Sequence, residues 1–330
     1  MLPIIVGVVF GTVLVIALRR PMLRRLGSRD ATRRPRETAL VIAGSLLGTA
    51  LITGSFIVGD TLDSSIRSAV RNQLGPIDEM VVVPDSDEAD RLESALKELD
   101  DDRIDGVLSL VSVEASFSSD ASGEPLAEPE GRILEVDFGE AREFGDDPAI
   151  TGIEGETPAD DGILLGVDLA SRLGAAEGDD VTAFLYGEEL TFRVVGLLPR
   201  IGVAGFWRGF ESTSTNAFVP PGTIERLARD APKGSNPPST FLLVSNLGGV
   251  EEGEELSEEV SDVIDSQIGS GGLRVEEVKR VALENADQAG KEFSEIFLAI
   301  GSFAIIAGIL LLVNIFVMLA EERKSQLGML

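Results

Sequence analysis

Few of this chain's 330 residues are of types that do chemistry, and those few are poorly placed for it. There is no His and no Cys, which removes imidazole bases, thiol nucleophiles, disulfides and nearly every zinc site together. Gly290-Lys291 is followed by Glu292 and lacks the upstream Gly of a phosphate loop, so nucleotide hydrolysis by a P-loop is excluded. Asp101, Asp105 and Gly106 match part of a calcium loop, but Arg103 stands at a ligand position and Ser112 in place of the closing Glu. The pairs Asp160-Asp161 and Asp179-Asp180 have no basic or aromatic company suggesting catalysis. They read as hydrated surface. The expectation is a non-enzyme: no catalytic residue, no metal site and no cofactor held by this chain.

The sequence does show segregation. It is 44% hydrophobic with mean hydropathy +0.18, yet its formal charge is -28, from 56 acidic and 28 basic residues. An acidic soluble domain would score below zero, and a membrane bundle would not carry so many carboxylates, so the two kinds of residue must occupy different stretches. Residues 2–18 are 17 uncharged, mostly apolar residues, at the short end of the roughly 17 to 25 that cross a bilayer. The arginines follow this run and no cleavage pattern appears, so an uncleaved N-terminal membrane helix is expected over 1–18. Residues 38–59 give 22 uncharged residues and 296–320 give 25. Both are expected to be transmembrane, because a single central charge would cost about 2.5 to 3.5 kcal/mol and none is present. Gly7 with Gly11, and Gly44 with Gly48, have the spacing that lets helices approach closely. Asn314 lies inside the last run and calls for a hydrogen-bond partner on another helix.

Orientation follows from the basic loop 19–37. Eight arginines, from Arg19 to Arg36, face only Asp30 and Glu37 there, which places it in the cytoplasm. Residues 60–292 are then extracytoplasmic, with 18 basic and 51 acidic residues and a net charge of -33. The tail 321–330 returns to the cytoplasm after a span set at 293–320. An acidic exterior with 23 Arg to 5 Lys has the character of a salt-adapted surface and repels nucleic acid. The arginine loop fits against anionic lipid.

The outer segment reads as mixed α and β. Leu62, Ile66, Ala69, Val70 and Leu74 fall at helical spacing, predicting a stalk helix over 60–74 that Gly75-Pro76 ends. A second stalk is predicted over 275–292, with Val278, Val281, Ala282 and Asn285 on its apolar face. Between them come a buried strand at 79–83, a helix at 87–102 with Leu92, Ala95, Leu96 and Leu99 inward, and a strand near 106–117. This is a βαβ-type start. A turn-rich loop (118–131) leads to strand 131–138, and a strand-rich part then holds strand 162–166, a short helix and a hairpin turning at Tyr186-Gly187-Glu188-Glu189. Further strands are predicted at 216–220 and 240–246 around a helix, then one acidic helix over 251–267.

Three stretches together resemble the FtsX/MacB-like permeases of ABC transporters: RRPRETALVIAGSLLGTALITGSFIVGDTLDSSI, GILLGVDLASRLGAAEGDDVTAFLYGEELTFRVVGLL and FLAIGSFAIIAGILLLVNIFVMLAEERKSQLGML. The likeness covers most of 33–330, with 80–160 matched only in outline. It implies an α+β membrane protein with transmembrane helices flanking a mixed α/β extracytoplasmic domain, in which a βαβ-type subdomain carries a strand-rich insertion. It also implies a permease subunit whose head is moved by a separate cytoplasmic ATPase that binds the ATP, with a second permease, identical or not, as partner in the lipid bilayer. Glu321, Glu322, Arg323, Gln326, Leu327 and Gly328 match the segment that meets that ATPase. The helix at 2–18 precedes the usual start of the pattern, and the chain stops at Leu330 where the family continues, so a fragment or a truncated product is expected. The competing reading is a membrane-tethered sensor or binding domain without an ATPase. A secreted enzyme comes third.

Overall fold

The computed structural model describes residues 35–145, 148–206, 215–268 and 272–327. The helix expected over 2–18, most of the basic loop, Gly7, Gly11 and Gly328 lie outside the described residues. The chain divides into two compact units, Met1–Leu62 with Gly290–Leu330, and Asp63–Ala289.

The second unit is built on one nine-stranded sheet. Helix α1 (Pro35–Leu74) ends where Gly75 takes φ 56° and donates its N–H to the Arg71 carbonyl, a left-handed stop that glycine adopts without strain. Strand β1 (Glu79–Val83), helix α2 (Ser86–Leu99) and strand β2 (Ile104–Ser119) follow, then β3 (Leu126–Val136) and the short helices α3 (Phe138–Glu143) and α4 (Pro148–Thr151). Next come β4 (Gly162–Gly166), α5 (Val167–Leu173), β5 (Asp180–Leu185), β6 (Glu188–Leu198), α6 (Gly202–Gly205), β7 (Asn216–Val219) and α7 (Thr223–Arg229). Strand β8 (Ser239–Asn246), helix α8 (Gly249–Glu252), a 3-10 turn (Gly253–Leu256), α9 (Ser257–Ile268), β9 (Val275–Glu276) and α10 (Val278–Leu327) complete the order.

Six strands, β2-β3-β7-β4-β6-β5, pair in a closed ring, because β2 meets both β3 and β5. Val113, Ala115 and Phe117 of β2 point into this barrel with Ile163, Leu165, Val181 and Val194, and Leu169 and Leu173 of α5 fill the same core. The first half of β2 instead pairs with β8, and β8 pairs with β1, so β1-α2-β2 is a βαβ unit with an antiparallel strand between its two strands. Alternation sorts the side chains of this open part. Val81, Leu242 and Val244 face α2 and α9, while Met80, Phe241 and Leu243 face Val70 and Leu74 of α1 and Leu283 and Ala286 of α10.

Several expectations change. The loop expected over 118–131 is shorter, with Ser118 and Ser119 ending β2 and Leu126–Gly131 opening the return strand of a long hairpin; Gly131 permits it, since a Cβ there would sit 2.5 Å from the Phe117 ring. Leu99 is exposed rather than inward, because α2 ends there against the left-handed Asp100. The second stalk turns Lys279, Leu283 and Ala286 fully inward, with Val278 and Ala282 half-buried against the same core; Val281 is exposed, and Asn285 is too. The acidic helix 251–267 is broken at Gly253. The hairpin turn is the two residues Tyr186 (φ 56°) and Gly187 (φ 86°), the double positive φ of a type I′ turn.

The first unit holds the N-terminal part of α1 and the C-terminal part of α10, helices that are 40 and 50 residues long in all. Ile42, Leu46, Ile57, Ile300, Phe303 and Leu310 on them are each more than half exposed. Among the described residues, no helix is long and apolar enough to cross a membrane. The spans over 38–59 and 293–320 therefore rest on the sequence.

Gly75 carries a direct test of this packing. A Cβ there would lie 2.4 Å from the Ile150 carbonyl oxygen and 2.6 Å from the Gly202 Cα, at a positive φ. Gly75→Ala is predicted to lower stability by more than about 1 kcal/mol, read as a lower urea midpoint, whereas Gly187→Ala, with nothing within 4 Å, loses only the smaller conformational part.

Candidate functional site

The densest cluster of buried polar groups sits where the two stalk segments enter the head. Asp78 precedes β1, Glu79 begins it, Asn246 ends β8, and Lys279 is the second residue of α10; all four are fully buried. Lys279 Nζ lies 2.7 Å from Asp78 Oδ1, and its backbone N–H donates to the Asp78 carbonyl at 3.2 Å. The Asn246 backbone N–H donates to Asp78 Oδ2 at 2.8 Å. Its side-chain amide donates to Glu79 Oε1 at 2.9 Å and to the Gly253 carbonyl at 3.0 Å. Gly253 must be glycine here, since a Cβ would stand 2.6 Å from Asp78 Oδ2.

Electrostatics divides the two neighbouring carboxyls. Burial pushes Glu79 up to about 8, with the Asp78 charge adding to the rise and Ser257 and Asn246 opposing it. Burial also pushes Asp78 up, to about 6, but Lys279 and the Asn246 N–H hold it down. At neutral pH the Lys279–Asp78 ion pair thus lies beside a Glu79 that burial keeps protonated. That is the state a fully buried site requires.

A second layer ties α1 to the same place. Arg71 donates to Glu251 Oε2 and Glu254 Oε1, both at 2.8 Å, and to the Glu251 carbonyl at 3.0 Å. Arg67 pairs with Asp287 of α10. The two stalk segments are therefore joined to each other, to the loop after β8, and to the sheet. Lys279, Asp78 and Glu79 are sealed from solvent and already engaged. Among the described residues, no group of three or more Asp, Glu, His or Cys is placed to hold a metal ion.

This frame, a head of split βαβ plus barrel clamped between two long helices, has a counterpart among known families. The MacB-like periplasmic core domain matches residues 38–263. The chain belongs to that family. The MacB-like match takes in α1, the whole barrel and β8, and it agrees with the FtsX/MacB-like likeness of the three sequence stretches. A crystallised domain named for a permease protein of Porphyromonas gingivalis is 11% identical, with 61% of this chain and 88% of that one covered at a TM-score of 0.35. A likeness that low carries no argument. No curated protein matches this chain.

The residues singled out in the sequence lie elsewhere. Glu321, Glu322, Arg323, Gln326 and Leu327 fall within α10 and Gly44 and Gly48 within α1, as Asn314 falls within α10, but their side chains are outside the described residues. The clamp was missed. The sequence reads Glu79 only as the first residue of a buried strand and leaves Asp78 unassigned, and the one available signal is Lys279, a charge at the position of the apolar stripe shared by Leu283 and Ala286.

Two predictions follow from the buried pair. Lys279→Met leaves Asp78 ionised and alone, which costs about 3 to 5 kcal/mol; adding Asp78→Asn is predicted to restore most of it, as read by chemical denaturation. For Glu79, the folded value lies above the ordinary 4.5, so the folded state holds a proton that the unfolded state releases. Stability should fall as pH rises from about 4.5 to about 8, and Glu79→Gln should flatten that slope in a pH series of melting curves.

Proposed function

We propose that this chain is a permease subunit of an ABC transporter that passes the motion of a separate cytoplasmic ATPase to its extracytoplasmic head. The carrying observation is the clamp: Lys279–Asp78 and Arg67–Asp287 bind the entering ends of α1 and α10 to one sheet. A displacement of either helix is then a displacement of the head, whereas a head that is only tethered needs no buried link to its anchors. Family membership supports the same reading.

In this account residues 38–59 and 296–320 cross the bilayer. Each is long enough at 1.5 Å per residue to cover about 30 Å of hydrocarbon. The exposed Ile42, Leu46, Ile300, Phe303 and Leu310 then face lipid or a second permease, with Gly44, Gly48 and Asn314 at helix contacts. Glu321, Glu322, Arg323, Gln326, Leu327 and Gly328 meet the ATPase, which binds the ATP. The 60–292 segment lies outside the membrane, and the cargo class spans lipid, lipoprotein, peptide or drug.

The test is co-purification with an ABC ATPase from the same genome and hydrolysis in lipid nanodiscs. Arg323→Glu with Leu327→Asp is predicted to abolish association or to cut stimulated hydrolysis at least tenfold. Intact association and rate in that variant would remove the coupling segment from the account, and failure of the unaltered chain to bind the ATPase would favour the tethered domain.

A further inference from the structure

The clamp leaves a second feature of the head unexplained, a fork in the sheet on one flank of β2. That flank pairs with β8 up to Ser112↔Ser239 and with β5 from Ser116↔Phe184 onward. Continuing the β8 register would set Pro238 and Pro237 opposite Val113 and Glu114. Proline has no N–H to donate, so the ladder stops there. On the other rim the chain turns away at Tyr186-Gly187. The Tyr186 hydroxyl donates to the Asn236 carbonyl at 3.0 Å, which ties the two rims together and fixes the width of the opening.

The fork is the floor of a cleft of about 710 Å³, within the roughly 300 to 1,000 Å³ usual for small-ligand sites. Its lining combines the hydroxyls of Ser112, Ser116, Ser235 and Ser239 with aromatic surface. Phe184 is 43% exposed there, and Tyr186 keeps a ring on the rim at a φ where glycine would be free of strain. Glu114 and Arg132, which also line it, are register partners on β2 and β3, so the lining has no net charge inside a strongly acidic head.

We propose that this cleft binds a neutral saccharide. Clustered hydroxyls and one carboxylate with one guanidinium suit a ligand rich in hydroxyl groups, and the exposed Phe184 face, beside the half-buried Tyr186, suits the apolar C–H face of a sugar ring. An anionic ligand would meet the repulsion of the head's net -33. A peptide threading through as an added strand is blocked by the Tyr186–Asn236 tie. This site is independent of the permease reading.

The test uses the full chain in a detergent without sugar headgroups, with maltose, cellobiose and N,N′-diacetylchitobiose as probes in saturation-transfer NMR and calorimetry. Saturable binding of at least one is expected, weakened tenfold or more by Phe184→Ser and by Tyr186→Gly. The latter relieves the positive φ and so keeps the fold, checked by unchanged circular dichroism. No saturable binding of any of the three, equal affinity in both variants, or saturable binding only of a proline-containing hexapeptide would each overturn the proposal.

Discussion

A lysine with no exposed side chain is the constraint on which this head depends. Lys279 begins the helix α10, and its ammonium reaches Asp78 at the foot of β1. Neither group tolerates burial alone, so each fixes the position of the other, and everything bonded to them inherits that position. Asn246 joins the end of β8, Gly253 the break in the acidic helix, and burial keeps Glu79 protonated beside the pair. Apolar side chains could have filled the space with comparable stability. An ion pair adds direction, because it holds only one register of the helix against the strand.

The rest of the head is arranged around one long strand. β2 serves the open sheet with its first half and the barrel with its second, so the two parts share a backbone rather than a flexible linker. The open sheet buries one face under α2 and α9 and offers the other to the stalk segments. The barrel has no free edges and packs its own core around α5. A motion arriving at the clamp therefore meets β1 and β8 first and reaches the barrel through β2.

Much of this was legible in the sequence because the signals are local. Short continuous apolar runs mark β1, β4 and β8; Leu173-Gly174 marks the end of α5; Tyr186-Gly187 marks the hairpin; Gly75-Pro76 marks the end of the first stalk. The misses share a physical cause, which is that they depend on contacts between residues far apart in the chain. Barrel closure needs β2 to find β5 and β3. Leu126–Glu128 are legible as strand only when Phe117–Ser119 lie opposite them. The clamp pairs residues 78 and 279, and no spacing rule relates an acid before a strand to a lysine two hundred residues later. The inward face of α10 was partly misjudged because the reading looked for apolar residues and the anchor is a cation.

The central claim is that the buried pair joins the second stalk to the sheet as one mechanical piece, and amide hydrogen exchange on the full chain with Lys279→Met tests it most directly. The account predicts that protection falls together in Val278–Ala289 and in Asp78–Val83, while β4, β5 and β6 of the barrel exchange as before. Uniform loss across the whole head would reduce the pair to a general stabiliser. Unchanged protection in Asp78–Val83 would contradict the account.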